Sequence, residues 1–350
     1  MNVHAPEALQ ASNLESVGEA AWDRFVDQCE EATFFHRAGW QRVIKESFGH
    51  KTYYLCAVRG RRIEGVLPLV HIRHPFFGNF LSSTAFCVYG GPAAVTSAAR
   101  ELLNIRAQKL AAQLDVDHLE YRLRVPDEHD GWHVKSDLYA TFRKALDPDV
   151  EKNMLAIPRK QRAMVRKGIK LGLRSEIDSE PDRLYRVYAE SVRNLGTPVF
   201  PKRYFYALQA AFADCCENLI VVHQGRPVSA VMSFYFRDEV LPYYGGGTEA
   251  ARSLAANDFM YWEVMRRACE RQCRIFDFGR SKRGTGAFNF KTYWGFTPES
   301  LHYAYLMRRG SEPPNLNPLN PKFRIFIALW KRLPLPIANL IGPHIVRNLG

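Results

Sequence analysis

The sequence lacks most of the marks of a redox, metal-binding or exported protein. Its seven cysteines, Cys29, Cys56, Cys87, Cys215, Cys216, Cys269 and Cys273, form no Cys-x-x-Cys pair and none stands at zinc-ligand spacing beside histidines. They read as reduced core thiols, and no metal is expected. His71 and His74 have no acidic or cysteine partner at metal spacing, and there is no Gly-x-Ser-x-Gly or P-loop. Met1 to Glu19 contains neither a basic n-region nor an apolar run, so no signal peptide or start-transfer helix is predicted and a cytoplasmic location is expected.

Acidic residues are also in deficit. With 48 Lys and Arg against 36 Asp and Glu, the formal net charge is +12. That surplus favours anionic partners: phosphorylated ligands, RNA or an anionic membrane leaflet. With 350 residues, 47% of them hydrophobic, the chain can fill two ordinary domains.

A pattern of elements occurs twice. Tyr54 to Val58 and Leu219 to Val222 are apolar runs that end in the turns Gly60-Arg61 and Gly225-Arg226, which predicts two β-hairpins. Each leads to a Gly-rich strand end, Val88-Tyr89-Gly90-Gly91-Pro92 and Tyr243-Tyr244-Gly245-Gly246-Gly247. A helix follows, carrying Leu102, Leu103, Arg106 and Leu110 in the first copy and Phe259, Trp262, Met265 and Arg266 in the second. Each copy closes on a short strand, His118 to Arg122 and Ile275 to Gly279. Four elements repeated at an offset of roughly 155 to 165 residues predict a duplicated α/β (α+β) unit. Between the copies, 149–175 reads as a helix dense in Lys152, Arg159, Lys160, Arg162, Arg166, Lys167, Lys170 and Arg174. Such a run is either a solvated face or a surface for a phosphate-rich partner.

The order of elements is similar to that of a GNAT-type acyltransferase core, and from about Phe34 to Tyr305 the chain resembles the FemABX family of tandem GNAT-like aminoacyltransferases. The likeness rests on Trp40-Gln41-Arg42-Val43-Ile44-Lys45, Thr141 to Leu146, Arg166 to Leu173, Tyr188 to Arg193, and Phe288-Asn289-Phe290-Lys291-Thr292-Tyr293-Trp294-Gly295-Phe296. It is nearest to FemAB-like proteins found with exosortase (PEP-CTERM) and exopolysaccharide systems. The resemblance implies a first unit over 15–148, a second over 149–309 and a tail over 310–350. It also implies that Lys45 and Arg193 meet the phosphates of a nucleotide- or lipid-linked glycan or peptide acceptor, that Tyr244 lines the same cleft, and that Lys291 sits at the acyl-transfer centre. An acidic residue expected after the first unit's Gly-Pro is absent, because Gly91-Pro92 runs into Ala93-Ala94-Val95.

The residue types fit those roles. A guanidinium grips phosphate through a planar fork and an ammonium adds a point charge. Phe290, Tyr293 and Trp294 flank Lys291, which predicts a partly desolvated ammonium able to stabilise an oxyanion. Asp277 is placed either as acceptor of the amine proton or as an ion-pair partner of Arg280, with Ser281 next to them on the substrate side. Arg252 and Asn257 keep part of the spacing of a coenzyme-A pyrophosphate loop, Arg252-Ser253-Leu254-Ala255-Ala256-Asn257, without its glycines. The acyl donor is therefore aminoacyl-tRNA or acyl-CoA, with no tightly bound cofactor. The alternatives are a non-catalytic RNA- or lipid-binding scaffold and an acyl-CoA-dependent acetyltransferase of a small molecule.

After a Pro- and Asn-rich linker, Glu312 to Pro321, the tail places Phe323, Phe326, Ile327 and Trp330 among Arg324, Lys331 and Arg332. Interrupted by Pro334, Pro336, Gly342 and Pro343, it is too short to span a bilayer. It is expected either to lie on an anionic membrane face or to pack back on the protein.

Overall fold

The structure, a computed structural model, describes residues 7–75, 78–127, 130–310, 312–313 and 321–350, with the backbone alone for 321–325. In chain order the elements are β1 (Leu9–Asn13), α1 (Leu14–Val17), α2 (Glu19–Gln28), α3 (Gly39–Phe48), β2 (Lys51–Arg59), β3 (Arg62–His74), β4 (Gly78–Ser83), β5 (Ala93–Ala94), α4 (Ser97–Gln113), β6 (His118–Leu123) and β7 (His133–Lys135). They continue with β8 (Tyr139–Ala145), α5 (Val150–Ala156), α6 (Arg159–Lys170), β9 (Arg174–Asp178), α7 (Asp182–Leu195), α8 (Lys202–Ala211), β10 (Cys216–His223), β11 (Arg226–Phe236) and β12 (Glu239–Gly247). The last are α9 (Ala251–Leu254), α10 (Ala256–Glu270), β13 (Ile275–Asp277), β14 (Ser281–Lys282), α11 (Gly286–Tyr293), β15 (Pro298–Ser300), β16 (His302–Met307), α12 (Pro321–Trp330) and α13 (Leu335–Val346).

Two mixed sheets result, as the duplicated pattern predicts. The first runs β1-β2-β3-β4-β6-β16-β7, with β5 on β3; the second runs β14-β8-β13-β12-β11-β10-β9, with β15 on β8. In each, a long antiparallel hairpin (β2–β3, β10–β11) is followed by a strand that pairs in parallel with the strand after the helix, β4 with β6 and β12 with β13. The apolar face of α4 covers the first sheet through Ala99, Leu103, Ala107 and Ala111, all fully buried. In the second, α10 supplies Phe259, Met260, Trp262, Val264 and Met265 to a core shared with Phe142, Phe276 and Trp294. Each such side chain contributes roughly 1.5 to 3 kcal/mol by leaving water.

Four features differ from expectation. The division expected at 148/149 falls earlier, because Asp137–Ser300 belong to the second unit while Leu301–Asn315 return to the first. The cause is strand exchange: β8 pairs with β13, β14 and β15 of the second sheet, whereas β16 pairs with β6 and β7 of the first. Of the stretch expected as a tail, α12 and α13 cluster with the second unit, whereas Asn348–Gly350 cluster with the first. The basic stretch expected as one helix is two, α5 and α6, broken at Ile157-Pro158 because proline disfavours helical backbone before it. Finally, Val88 to Pro92 is not a strand end. β4 stops at Ser83 and the chain turns through Thr84 (φ 47°), Phe86 (φ 68°) and Gly91 (φ 90°).

All seven cysteines are free, five of them buried and Cys215 and Cys216 half-buried. No described helix is long and apolar enough to cross a membrane.

Candidate active site

In the second unit, β12 and β13 part company early. Their parallel pairing covers Glu239 with Ile275 and Val240 with Phe276, after which β12 runs on to Gly247 paired with β11 alone. β13 ends at Asp277 and the chain turns away through Gly279, whose φ of +64° suits glycine. A register shift between Met232 and Ser233 puts an extra residue into β12 at Tyr243 and bends the strand where the gap opens.

Alternation along the free half of β12 assigns its two faces. Cβ atoms built on Gly245 and Gly247 would meet Met260 and Asn257 of α10, while one on Gly246 would meet the Ser191 Oγ of α7 at 2.3 Å. The helices α7 and α10 therefore cover opposite faces of the strand, and Gly246 is required because α7 crosses it at contact distance.

On the α7 face lies an aromatic cluster. The Tyr244 hydroxyl shares a 2.6 Å hydrogen bond with Tyr204 of α8, and Tyr188, Phe200, Phe205 and Tyr243 surround the Tyr244 ring edge-on at 4.7 to 5.9 Å. Tyr244 is thus largely core, 5% exposed. Five residues beyond Tyr188, Arg193 donates through Nη1 to the Lys331 carbonyl at 3.2 Å, while its Nε is buried with no hydrogen-bond partner. An orphaned guanidinium N–H is costly to bury unless an acceptor reaches it.

On the α10 face, α11 projects Lys291 into the turn that follows β13. Its ammonium, on a residue 9% exposed, donates to the carbonyls of Phe278 (2.6 Å), Gly279 (2.9 Å) and Arg280 (3.2 Å). The rings of Phe142 and Phe278 lie 5.5 and 5.8 Å from Nζ. Of the sequence neighbours expected to desolvate it, Trp294 and Phe290 pack on Tyr261 and on Phe278 behind the ammonium, while Tyr293 is 59% exposed. Tyr293, two positions on from Lys291, points away from it, as the helix period requires. Burial pulls the ammonium from 10.5 to about 7, opposed by the charge of Asp277 and assisted by that of Arg280.

Asp277 is buried below that turn, where its Oδ1 accepts the Gly279 N–H at 2.7 Å and its Oδ2 lies 3.4 Å from Arg143 Nε. Arg143 also pairs with Glu239. β8 thus contributes an ion-pair partner for Asp277, and the Arg280 guanidinium stands over the Tyr139 ring at 4.7 Å. Ser281 is buried with its Oγ unpartnered, close after the three carbonyls that hold Lys291.

Arg252 and Asn257 separate. Arg252 is exposed on α9, whereas the Asn257 Oδ1 accepts a 2.7 Å hydrogen bond from Ser229 and braces the end of β12. Between them Ala255 takes a left-handed conformation (φ 55°) where a glycine would be unstrained, and α10 begins with no side-chain cap, leaving first-turn N–H groups for a ligand. One first-turn residue, Asp258, accepts from Trp294 Nε1 at 3.0 Å and is raised by burial.

Lys45 lies in the first unit on α3, half exposed and 4.0 Å from Glu15. Arg159, Lys160, Arg166, Lys167 and Lys170 on α6 and Arg174 at the start of β9 are exposed, none of them in an ion pair with a described carboxylate. Three participants escaped the sequence reading: Arg143, Tyr204 and Asp258. Each acts through a partner distant in sequence, and no local spacing marks it.

A sheet with a strand splay beside an uncapped helix N-terminus, as in the second unit, is the core of a GNAT acyltransferase fold; the first unit repeats its sheet and helix in tandem, although there β4 stops at Ser83 and the Thr96 side chain caps α4. Residues 159–292 match the family model described as Acetyltransferase (GNAT) domain, which supports an acyltransferase activity in general. Among solved structures the chain is similar to FemX, with 14% identity, a TM-score of 0.68 and coverage of 85% of this chain and 97% of that one. It is similar to the tandem GNAT protein from the clavulanic acid biosynthesis pathway, at 14% identity and TM-score 0.52, covering 87% and 100%. It is also similar to the C-terminal domain (DUF2156) of a putative lysylphosphatidylglycerol synthetase from Agrobacterium fabrum, at 12% identity and TM-score 0.57, covering 84% and 93%. No curated protein matches it in sequence.

Proposed function

We propose that the chain is an N-acyltransferase that moves an acyl group from an activated ester or thioester to an amine of a cell-envelope or exopolysaccharide precursor. The observation that carries this is the parting of β12 from β13, with Lys291 buried on one side of the gap and Arg193 and Tyr244 on the face opposite α10. Donor and acceptor enter from opposite faces and meet where the strands separate. Arg193, with its unpartnered Nε, takes a phosphate of the acceptor.

The amine nitrogen attacks the acyl carbon, and the carbonyl oxygen becomes an oxyanion. Lys291 stabilises it once the oxyanion replaces the Arg280 carbonyl, the longest of its three contacts. As the intermediate collapses, the bond from acyl carbon to leaving oxygen or sulfur breaks, and the leaving atom takes the proton given up by the amine. Asp277, engaged by Gly279 and Arg143, serves to hold the turn that presents Lys291.

The loop that precedes α10 favours aminoacyl-tRNA over acyl-CoA as donor. Its glycines are missing and Asn257 is committed to Ser229, while the α6 cations offer a surface for RNA. The test is transfer of a labelled aminoacyl group in a lysate, with mass spectrometry of the envelope glycans. Loss of transfer after ribonuclease supports this donor. Transfer that survives ribonuclease and responds to acyl-CoA assigns the thioester instead, and identical glycans with and without the protein refute the acceptor class.

A further inference from the structure

The C-terminal helices carry apolar side chains on both their inward and their outward faces. Inward, Trp330, Ala338, Gly342 and Val346 are buried. The packing is close: a Cβ on Gly342 would meet the Val199 backbone N at 2.9 Å, and one on Gly196 would meet the Ile327 side chain at 2.5 Å. Arg193 adds its hydrogen bond to the Lys331 carbonyl at the end of α12. The pair of helices is thereby fixed to α7 of the second unit and is not a loose appendage.

Outward, α13 presents Ile337, Leu340 and Ile341 at one helical face, 44%, 71% and 41% exposed, and α12 presents Phe326 and Leu329, 39% and 60% exposed. A water-facing helix surface normally carries charge at these positions. In sequence, residues 313–350 include Lys322, Arg324, Lys331, Arg332 and Arg347 and not one Asp or Glu. Exposed aliphatic side chains within a wholly cationic segment complement an apolar, anionic surface, which is the chemistry of a bilayer rich in acidic lipids. A protein partner of matching acidity would satisfy the charge, but it would bring its own hydrogen-bonding groups, and the outward face of α13 from Ile337 to Ile341 offers few. Helices of 10 and 12 residues are too short to cross.

We infer that α12 and α13 form a membrane-seating face: Leu329, Ile337, Leu340 and Ile341 enter the headgroup boundary of an anionic bilayer while Lys331, Arg332 and Arg347 contact its phosphates. The inference goes beyond the proposed transfer reaction and stands without it.

The experiment is co-sedimentation of the full chain with vesicles of phosphatidylcholine alone or with phosphatidylglycerol added, together with sizing chromatography and circular dichroism. Binding is expected to the phosphatidylglycerol vesicles only, to fall about 10-fold or more in Leu329→Glu/Leu340→Glu, and to weaken in high salt. Both leucines are well exposed, so the double variant keeps its fold, which circular dichroism checks. A second variant, Lys331→Glu/Arg332→Glu, is expected to lose the preference for acidic lipid. Failure of the wild type to bind either vesicle, or undiminished binding by the leucine variant, overturns the inference. So does a dimer that the leucine variant dissociates, because the face then serves a second copy of the chain. Loss of transfer activity with vesicle binding intact would count against the transferase reading alone.

Discussion

Replacing Lys291 by Met removes the ammonium and keeps most of the side-chain volume, so the packing of Phe142 and Phe278 against it survives. Two consequences for stability oppose each other. The burial that lowers the ammonium from 10.5 to about 7 is relieved, which is worth on the order of 4 to 5 kcal/mol to the charged form. Against that, the carbonyls of Phe278, Gly279 and Arg280 lose their donor, at about 1 to 3 kcal/mol for each that water cannot reach. The variant should therefore unfold within a few kcal/mol of the wild type. Its effect on transfer should not cancel, because loss of a preorganised charge at a developing oxyanion costs about 100-fold to 1,000-fold in kcat, or about 2.7 to 4 kcal/mol. Single-turnover acyl transfer at saturating acceptor, with circular dichroism melts alongside, separates the two. A folded Lys291→Met protein with wild-type kcat would refute the assignment of Lys291 to the transition state. A raised KM at unchanged kcat would show that it serves binding alone.

Other expectations are independent of that variant. Since the folded ammonium titrates at about 7 and the unfolded one at 10.5, the unfolded chain binds more protons between those values. Wild-type stability should then rise relative to Lys291→Met by up to about 1.4 kcal/mol per pH unit from pH 7 upward, and be flat below it, in denaturant titrations. Arg143→Met removes a part-buried guanidinium that pairs with both Asp277 and Glu239 and should cost about 3 to 5 kcal/mol, visible as a lower melting temperature. Gly246→Ala sets a methyl group against Ser191 and should destabilise by about 1 to 3 kcal/mol, and adding Ser191→Gly should recover most of the loss. Arg193→Ala should weaken a phosphorylated acceptor about 10-fold or more in KM, with little change in kcat if the guanidinium grips ground state and transition state alike.

Whereas Lys291 was singled out by the family resemblance, local pattern carried the duplication, the hairpins β2–β3 and β10–β11, the helices α4 and α10, and the placing of Asp277, Arg280 and Ser281 at a strand end. These depend on periodicity and turn residues, which are properties of short stretches of chain. What the sequence could not reveal is which strands pair across long separations. β8 and β16 lie next to the expected domain boundaries and read as ordinary alternating strands, yet each completes the other unit's sheet, because hydrogen-bond pairing is settled by closure of the whole sheet. Nor could it orient side chains. Phe290, Tyr293 and Trp294 are Lys291's neighbours in the chain, but Phe142 and Phe278 are its neighbours in space, and three backbone carbonyls hold its charge. The same holds for Asp277, whose partner Arg143 is brought from β8 by antiparallel register. Composition and spacing decided that this chain would build two similar α/β units with a cationic tail; only the tertiary packing decided which groups share a low-dielectric site, because burial and hydrogen-bond geometry exist only after the chain has closed on itself.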